Sequence, residues 1–77
     1  MRYAKFDFAH LQNAILNNSD MKGASLYQAD LSGTQLKGAD LSDSKMTGAI
    51  LSGANLHSAN LRYCNLSNTV LDNADLT

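Results

Sequence analysis

Ala29-Asp30-Leu31-Ser32-Gly33-Thr34-Gln35-Leu36-Lys37-Gly38-Ala39-Asp40-Leu41 holds the pattern that decides the fold: a leucine every fifth residue, a small residue two before it and a glycine two after. Followed outward, the large apolar position recurs fifteen times from Phe6 to Leu76 without a slip, filled by twelve Leu, by Met21 and Met46, and by Phe6. The small position is Ala in ten units and Ser19, Thr34, Ser44, Cys64 or Thr69 in the other five. No charged residue falls at any of these thirty positions although 17% of the chain is charged, so they read as the core.

That period excludes the two ordinary elements. A helix advances about 100° per residue, so steps of five carry successive leucines around the cylinder and leave no apolar face. A flat strand fails because five is odd, and a period of two sends alternate leucines to opposite sides. The small and large residues of one unit lie two apart, which puts both on one side of a short extended piece. A bend must follow. The second residue after the large one is Gly at 23, 33, 38, 48 and 53 and Asn at 13, 18, 68 and 73, the residue types that tolerate positive φ in tight turns. Proline is absent, so no unit loses a backbone donor. Repeated bends of one sense wind a solenoid with inward ladders of Leu and Ala.

Composition narrows the function. Seventy-seven residues make one domain, 1–77, with no room for two lobes around a cleft. Six Lys and Arg against seven Asp leave a net charge of −1, which gives no electrostatic reason to expect nucleic acid or an anionic membrane as partner. A single cysteine, Cys64, excludes an internal disulfide. Arg2, Lys5 and Asp7 interrupt the stretch from Met1 to Leu11, which reads neither as a signal peptide nor as a membrane span, so a cytoplasmic location is expected.

The units Ala29-Asp30-Leu31, Ala39-Asp40-Leu41, Ala54-Asn55-Leu56, Ala59-Asn60-Leu61 and Ala74-Asp75-Leu76 resemble the pentapeptide-repeat family over essentially the whole chain. The resemblance implies an all-β fold, a right-handed quadrilateral parallel β-helix with four five-residue faces per coil. The repeat then amounts to about four coils, a stub on the order of 18 Å tall at strand spacing. Residues twenty apart stack: Leu11, Leu31, Leu51 and Leu71 on one face, Phe6, Leu26, Met46 and Leu66 on a neighbour.

Catalysis needs converging groups, and none are evident. His10 and His57 fall on different faces and coils, and read as surface residues. Cys64 occupies an inward position and reads as a buried, inert thiol. Asp20 and Asp40 stack above Asn60 near Lys22 and Arg62, and two carboxylates on a flat face make a poor hard-metal site. The packed interior leaves no cavity for a cofactor, and no phosphate-binding loop is present. No cofactor, metal or enzymatic activity is expected.

The informative departures are apolar. Ile15, Ile50 and Val70 precede the central Leu and point outward where the motif is polar, with Ile50 and Val70 one above the other, which makes a candidate strip for a protein partner. Tyr3, Phe6 and Phe8 cluster at the start, where they are expected to plug the first coil, with a contact surface of Tyr3 and Phe8 as the alternative. The last residues, Asn73 to Thr77, run in full register with no cap, so stacking on something is expected there. The leading functional reading is a non-catalytic structural or protein-interaction scaffold, with a homodimer formed end to end or edge to edge. The resemblance adds one alternative, a DNA-mimicking regulator of the topoisomerase gyrase, and the uncapped end favours another, a targeting or oligomerisation segment of a larger bacterial effector-like protein. Leu51→Asp is expected to unfold neighbouring units, and Ser42→Asp, on the outside, to leave stability within about half a kcal/mol.

Overall fold

The computed structural model of the chain describes residues 2–77, leaving Met1 outside the described residues. Its backbone repeats one unit throughout. In the unit Asp30 to Thr34, Asp30 N–H donates back to Ala9 O (3.0 Å), Leu31 N–H forward to Ile50 O (2.7 Å) and Gly33 N–H to Ser52 O (2.8 Å). Thr34 N–H then closes a turn on Leu31 O at 3.1 Å, and the same bond closes every unit from Ala9 on Phe6 to Ala74 on Leu71. The third residue of each turn has positive φ, 52–72°, in ten non-glycine and five glycine residues from Tyr3 to Asn73. That is the signature of a type II turn.

Parallel bridges join each extended residue to the one twenty further on, from Lys5–Ser25 to Asn55–Asp75. Four units therefore complete one circuit. The chain stays extended for only one bridging residue between turns, so the faces are ladders of single bridges and not the longer strands that an all-β reading brings to mind.

Eight large side chains, Met21, Leu26, Leu31, Leu36, Leu41, Met46, Leu51 and Leu56, are buried to 0–2% exposure, with Ala24, Ala29, Ala39, Ala49 and Ala54 between them. Burial is complete only from residue 21 to residue 56. Phe6, Leu11 and Leu16 at one end, and Leu61, Leu66 and Leu71 at the other, are partly buried against that core. The reason is shape: the molecule measures 25 × 21 × 20 Å, so each terminal layer has a packed neighbour on one side only.

The aromatic plug does not form. Phe6 packs inward, but Tyr3 and Phe8 occupy the positive-φ corner and stand 67% and 60% exposed. Tyr3 lies along the outside over Gly23, and Phe8 meets Tyr27 edge to face with ring centroids 5.5 Å apart. Their register decides this, because the third turn residue projects away from the axis whatever its hydrophobicity. Ser42 is also corrected: it is 7% exposed, its hydroxyl held by Asp40.

Candidate interaction surface

Four of the five amides in a unit with layers on both sides are used by the backbone; the amide of the second turn residue has no backbone acceptor. The Asp or Asn before the leucine supplies one. Asp30 Oδ1 accepts Ser32 N–H at 3.0 Å and Ser32 Oγ–H at 2.6 Å, and Asp40 does the same for Ser42 at the same distances. Asn55, Asn60, Asn65 and Asp75 accept the corresponding amides of His57, Arg62, Ser67 and Thr77 at 3.0–3.1 Å. This Asx cap explains why Asp and Asn recur at that position: a short side-chain acceptor two residues upstream fits a turn amide that no backbone acceptor reaches. Asp7 and Asn17 cap the next layer instead, accepting Tyr27 N–H and Lys37 N–H at 3.0 Å.

The caps also set the carboxylates' charge. Hydrogen bonds from the Ser32, Ser42 and Thr77 hydroxyls, then from their amides, hold Asp30, Asp40 and Asp75 below the ordinary carboxylate value. Asp20 is lowered chiefly by the hydrogen bond from the Arg2 guanidinium, 2.6 Å away. That contact is the one ion pair among the described residues. Asp20, Asp40 and Asn60 do form one column, but Asp20 turns to Arg2 and Asp40 to Ser42, so their oxygens are spent on separate donors.

His10 bridges to Asp30, whereas His57 sits on a turn with Nδ1 3.0 Å from Thr77 Oγ1, so the two histidines lie on different faces. No group of three metal-ligating side chains converges among the described residues, and no pocket opens there. Cys64 points inward as its register requires, but it is only half-buried and donates to Leu41 O at 2.8 Å, with Ser44 Oγ 3.1 Å away. Among the described residues no helix is long and apolar enough to cross a membrane.

Ile15, Ile50 and Val70 stand at the capping position and cannot cap. Ile50 and Val70 are bridged neighbours, 36% and 40% exposed, in the column His10, Asp30, Ile50, Val70. Ile15 heads the adjacent column with Gln35, Asn55 and Asp75, so it does not join the strip. Tyr3 and Phe8 lie on two other corners. Sequence reasoning missed Tyr27, Tyr63 and Leu76 as exposed apolar groups. The signal was present: Tyr27 and Tyr63 follow the large residue by one and two places, which puts them on the turn.

The family model for pentapeptide repeats matches residues 4–43 and 39–77, with eight copies. Among solved structures the chain is similar to a pentapeptide repeat protein, Rfr23, from the cyanobacterium Cyanothece, with 35% identity and a TM-score of 0.61, covering 91% of this chain and 45% of that one. A pentapeptide repeat protein of the Arabidopsis thaliana thylakoid lumen shares 28% identity over 96% of this chain and 59% of its own, at a TM-score of 0.42. HetL, from the cyanobacterium Nostoc and involved in heterocyst differentiation regulation, shares 31% over 92% of this chain and 38% of its own, also at 0.42. The chain thus spans about half the length of these structures. No curated protein matches. With the five-residue unit, the twenty-residue circuit and the inward leucines all in place, the chain belongs to the pentapeptide repeat family, whose fold is a right-handed β-helix.

Proposed function

We propose that this chain is a non-catalytic scaffold of nearly four coils whose outer faces engage protein partners, with the Ile50–Val70 strip as one contact. The observation that carries this reading is the missing cap. At Asp30, Asp40, Asn65 and Asp75 the residue before the leucine binds its own turn through two hydrogen bonds each. Ile50 and Val70 forgo those bonds and expose branched carbon side by side. A scaffold that only had to fold would gain by placing Asn at both sites. The closed, leucine-filled interior supports a role in binding rather than chemistry, since the polar groups lie spread over the outside.

Mimicry of duplex DNA is less well supported, because the seven Asp are dispersed over several columns and interleaved with cations. The first partner to test is a second copy. Light scattering across a concentration series should show a dimer that the double variant Ile50→Asn, Val70→Asn dissociates while its circular dichroism is unchanged. A dimer that persists in that variant, or a wild-type monomer at every concentration, would rule out self-pairing through the strip.

A further inference from the structure

Net charge conceals how the cations are arranged once the chain is coiled. Arg2, Lys22 and Arg62 share one corner: Tyr3 N–H donates to Lys22 O, Gly23 N–H to Ser42 O and Asp43 N–H to Arg62 O, stacking the turns that carry them. Lys5 and Lys45 share the adjoining face, in the bridged column Lys5, Ser25, Lys45, Asn65. Five of the chain's six cations therefore lie on one corner and its adjoining face, and the sixth, Lys37, is on the next corner round, beyond the Asp20–Asp40 face and in line with Asn17 and His57. Among the described residues only Arg2 of these cations is paired, to Asp20. Lys5, Lys22, Lys45 and Arg62 fall in four successive layers, so a cation recurs about every 4.8 Å along the axis. Asp43 is the one carboxylate within this corner and face, with Asp7, Asp20 and Asp40 flanking them.

The second observation is independent of charge. Every corner requires positive φ at the third turn residue, and nine of the fifteen are Gly or Asn. Three of the remaining six are aromatic, Tyr3, Phe8 and Tyr63, a residue type poorly suited to that conformation. All three stand on the two corners that flank the Lys5–Lys45 face. Tyr63 is 85% exposed, and Tyr27 projects from the Phe8 corner. Backbone strain maintained at three sites around one face, with flat rings held outward, marks a place where the rings are used.

We infer that this side of the solenoid binds single-stranded nucleic acid, the unpaired cations tracking the phosphates and the corner tyrosines stacking on bases. An acidic protein segment would draw on the cations but leave the rings without a role, whereas a single strand uses both.

Fluorescence anisotropy with labelled oligothymidylate and oligouridylate tests this, from low to physiological salt. Binding should weaken with a log–log salt slope of about −3, the value for four phosphate contacts on a single strand. Lys45→Gln should weaken binding about tenfold at low salt by removing one contact. Tyr63→Ala should weaken it by about tenfold through lost stacking while leaving the slope unchanged. Lys37→Gln, outside the proposed surface and set off from it by the Asp20–Asp40 face, should change nothing, and all three variants should keep the wild-type melting curve because each side chain points outward. The inference is overturned by absence of binding at low salt, by a Lys37→Gln loss equal to that of Lys45→Gln, or by a Tyr63→Ala variant that binds as the wild type does. Displacement of the oligonucleotide by equal amounts of polyglutamate would also overturn it in favour of an acidic protein, and binding to phosphatidylserine vesicles alone would overturn it in favour of a membrane.

Discussion

Thr34→Val should stabilise this protein. Thr34 occupies an inward small position, fully buried at 0% exposure, and its Oγ1 meets no hydrogen-bond partner. Thr69 holds the same position in a unit of the last layer, and there the hydroxyl donates to Leu66 O at 2.7 Å, with Met46 O as a longer acceptor at 3.2 Å. Valine keeps the branched shape and puts a methyl where the hydroxyl was. A buried hydroxyl without a partner costs about 1–3 kcal/mol, so relieving it at position 34 should raise stability by about 1 kcal/mol or more. The same change at position 69 discards a good hydrogen bond and should lower stability by about 1 kcal/mol. For a domain of this size each kcal/mol moves the melting temperature by roughly 4–8 °C, so the two variants should melt on opposite sides of wild type. Thermal and urea unfolding followed by far-ultraviolet circular dichroism reads both. The reasoning fails if Thr34→Val melts below wild type as Thr69→Val does. That result would mean the Thr34 hydroxyl turns onto the Leu31 or Leu11 carbonyl, the acceptors equivalent to those of Thr69.

Leu51→Asp places an unpaired charge at a position with 0% exposure and should abolish cooperative unfolding; a native-like melt would refute the inward ladder. Ser42→Asp removes the hydroxyl bound to Asp40 at 2.6 Å and sets two carboxylates together, so it should cost about 1–3 kcal/mol in urea unfolding, against almost nothing if the cap were idle. Gly53→Ala introduces only left-handed strain, about 1–2 kcal/mol, since its new Cβ meets open space, while Gly33→Ala also drives a methyl into Asn13 Oδ1 and should cost more; equal losses would show that Asn13 yields freely. Asp30, Asp40 and Asp75 have folded pKa values below the ordinary 3.8, so their contribution is complete above that pH and is lost as pH falls through the lowered values. Acid titration should therefore lower the melting temperature, less steeply in Asp40→Asn, and an unchanged slope there would sink the assignment.

The capping geometry bears on how such a repeat tolerates variation. The inward pair and the turn conformation are invariant demands, because every layer stacks on the next through them. The residue before the large apolar one contributes one or two hydrogen bonds to its own turn, with an added contact to a neighbouring layer at Asp20 and Asp30, so it can be replaced locally at a modest cost. That is where Ile15, Ile50 and Val70 appear, and where an added binding function disturbs the fold least.

The period of five, the inward positions and the bend residue were fully legible in the sequence, because each layer imposes the same demand on the same residue types and fifteen copies average out exceptions such as Met21 or Cys64. The outward direction of Ile50 and Val70 followed from that register. Other features depended on the circuit of twenty. Nothing local to Arg2, Lys22 and Arg62, or to Lys5 and Lys45, says that they share one side of the molecule; the stacking of distant turns places them there. Tyr3 and Phe8 looked like plug residues by hydrophobicity, but the positive-φ corner turns them outward. Ser42 looked like surface, but the carboxylate two residues upstream draws it in. Sequence alone determines which side chains face the axis, since that is set within five residues. Tertiary structure decides which side chains meet on the outside, since it alone brings residues twenty apart to strand spacing.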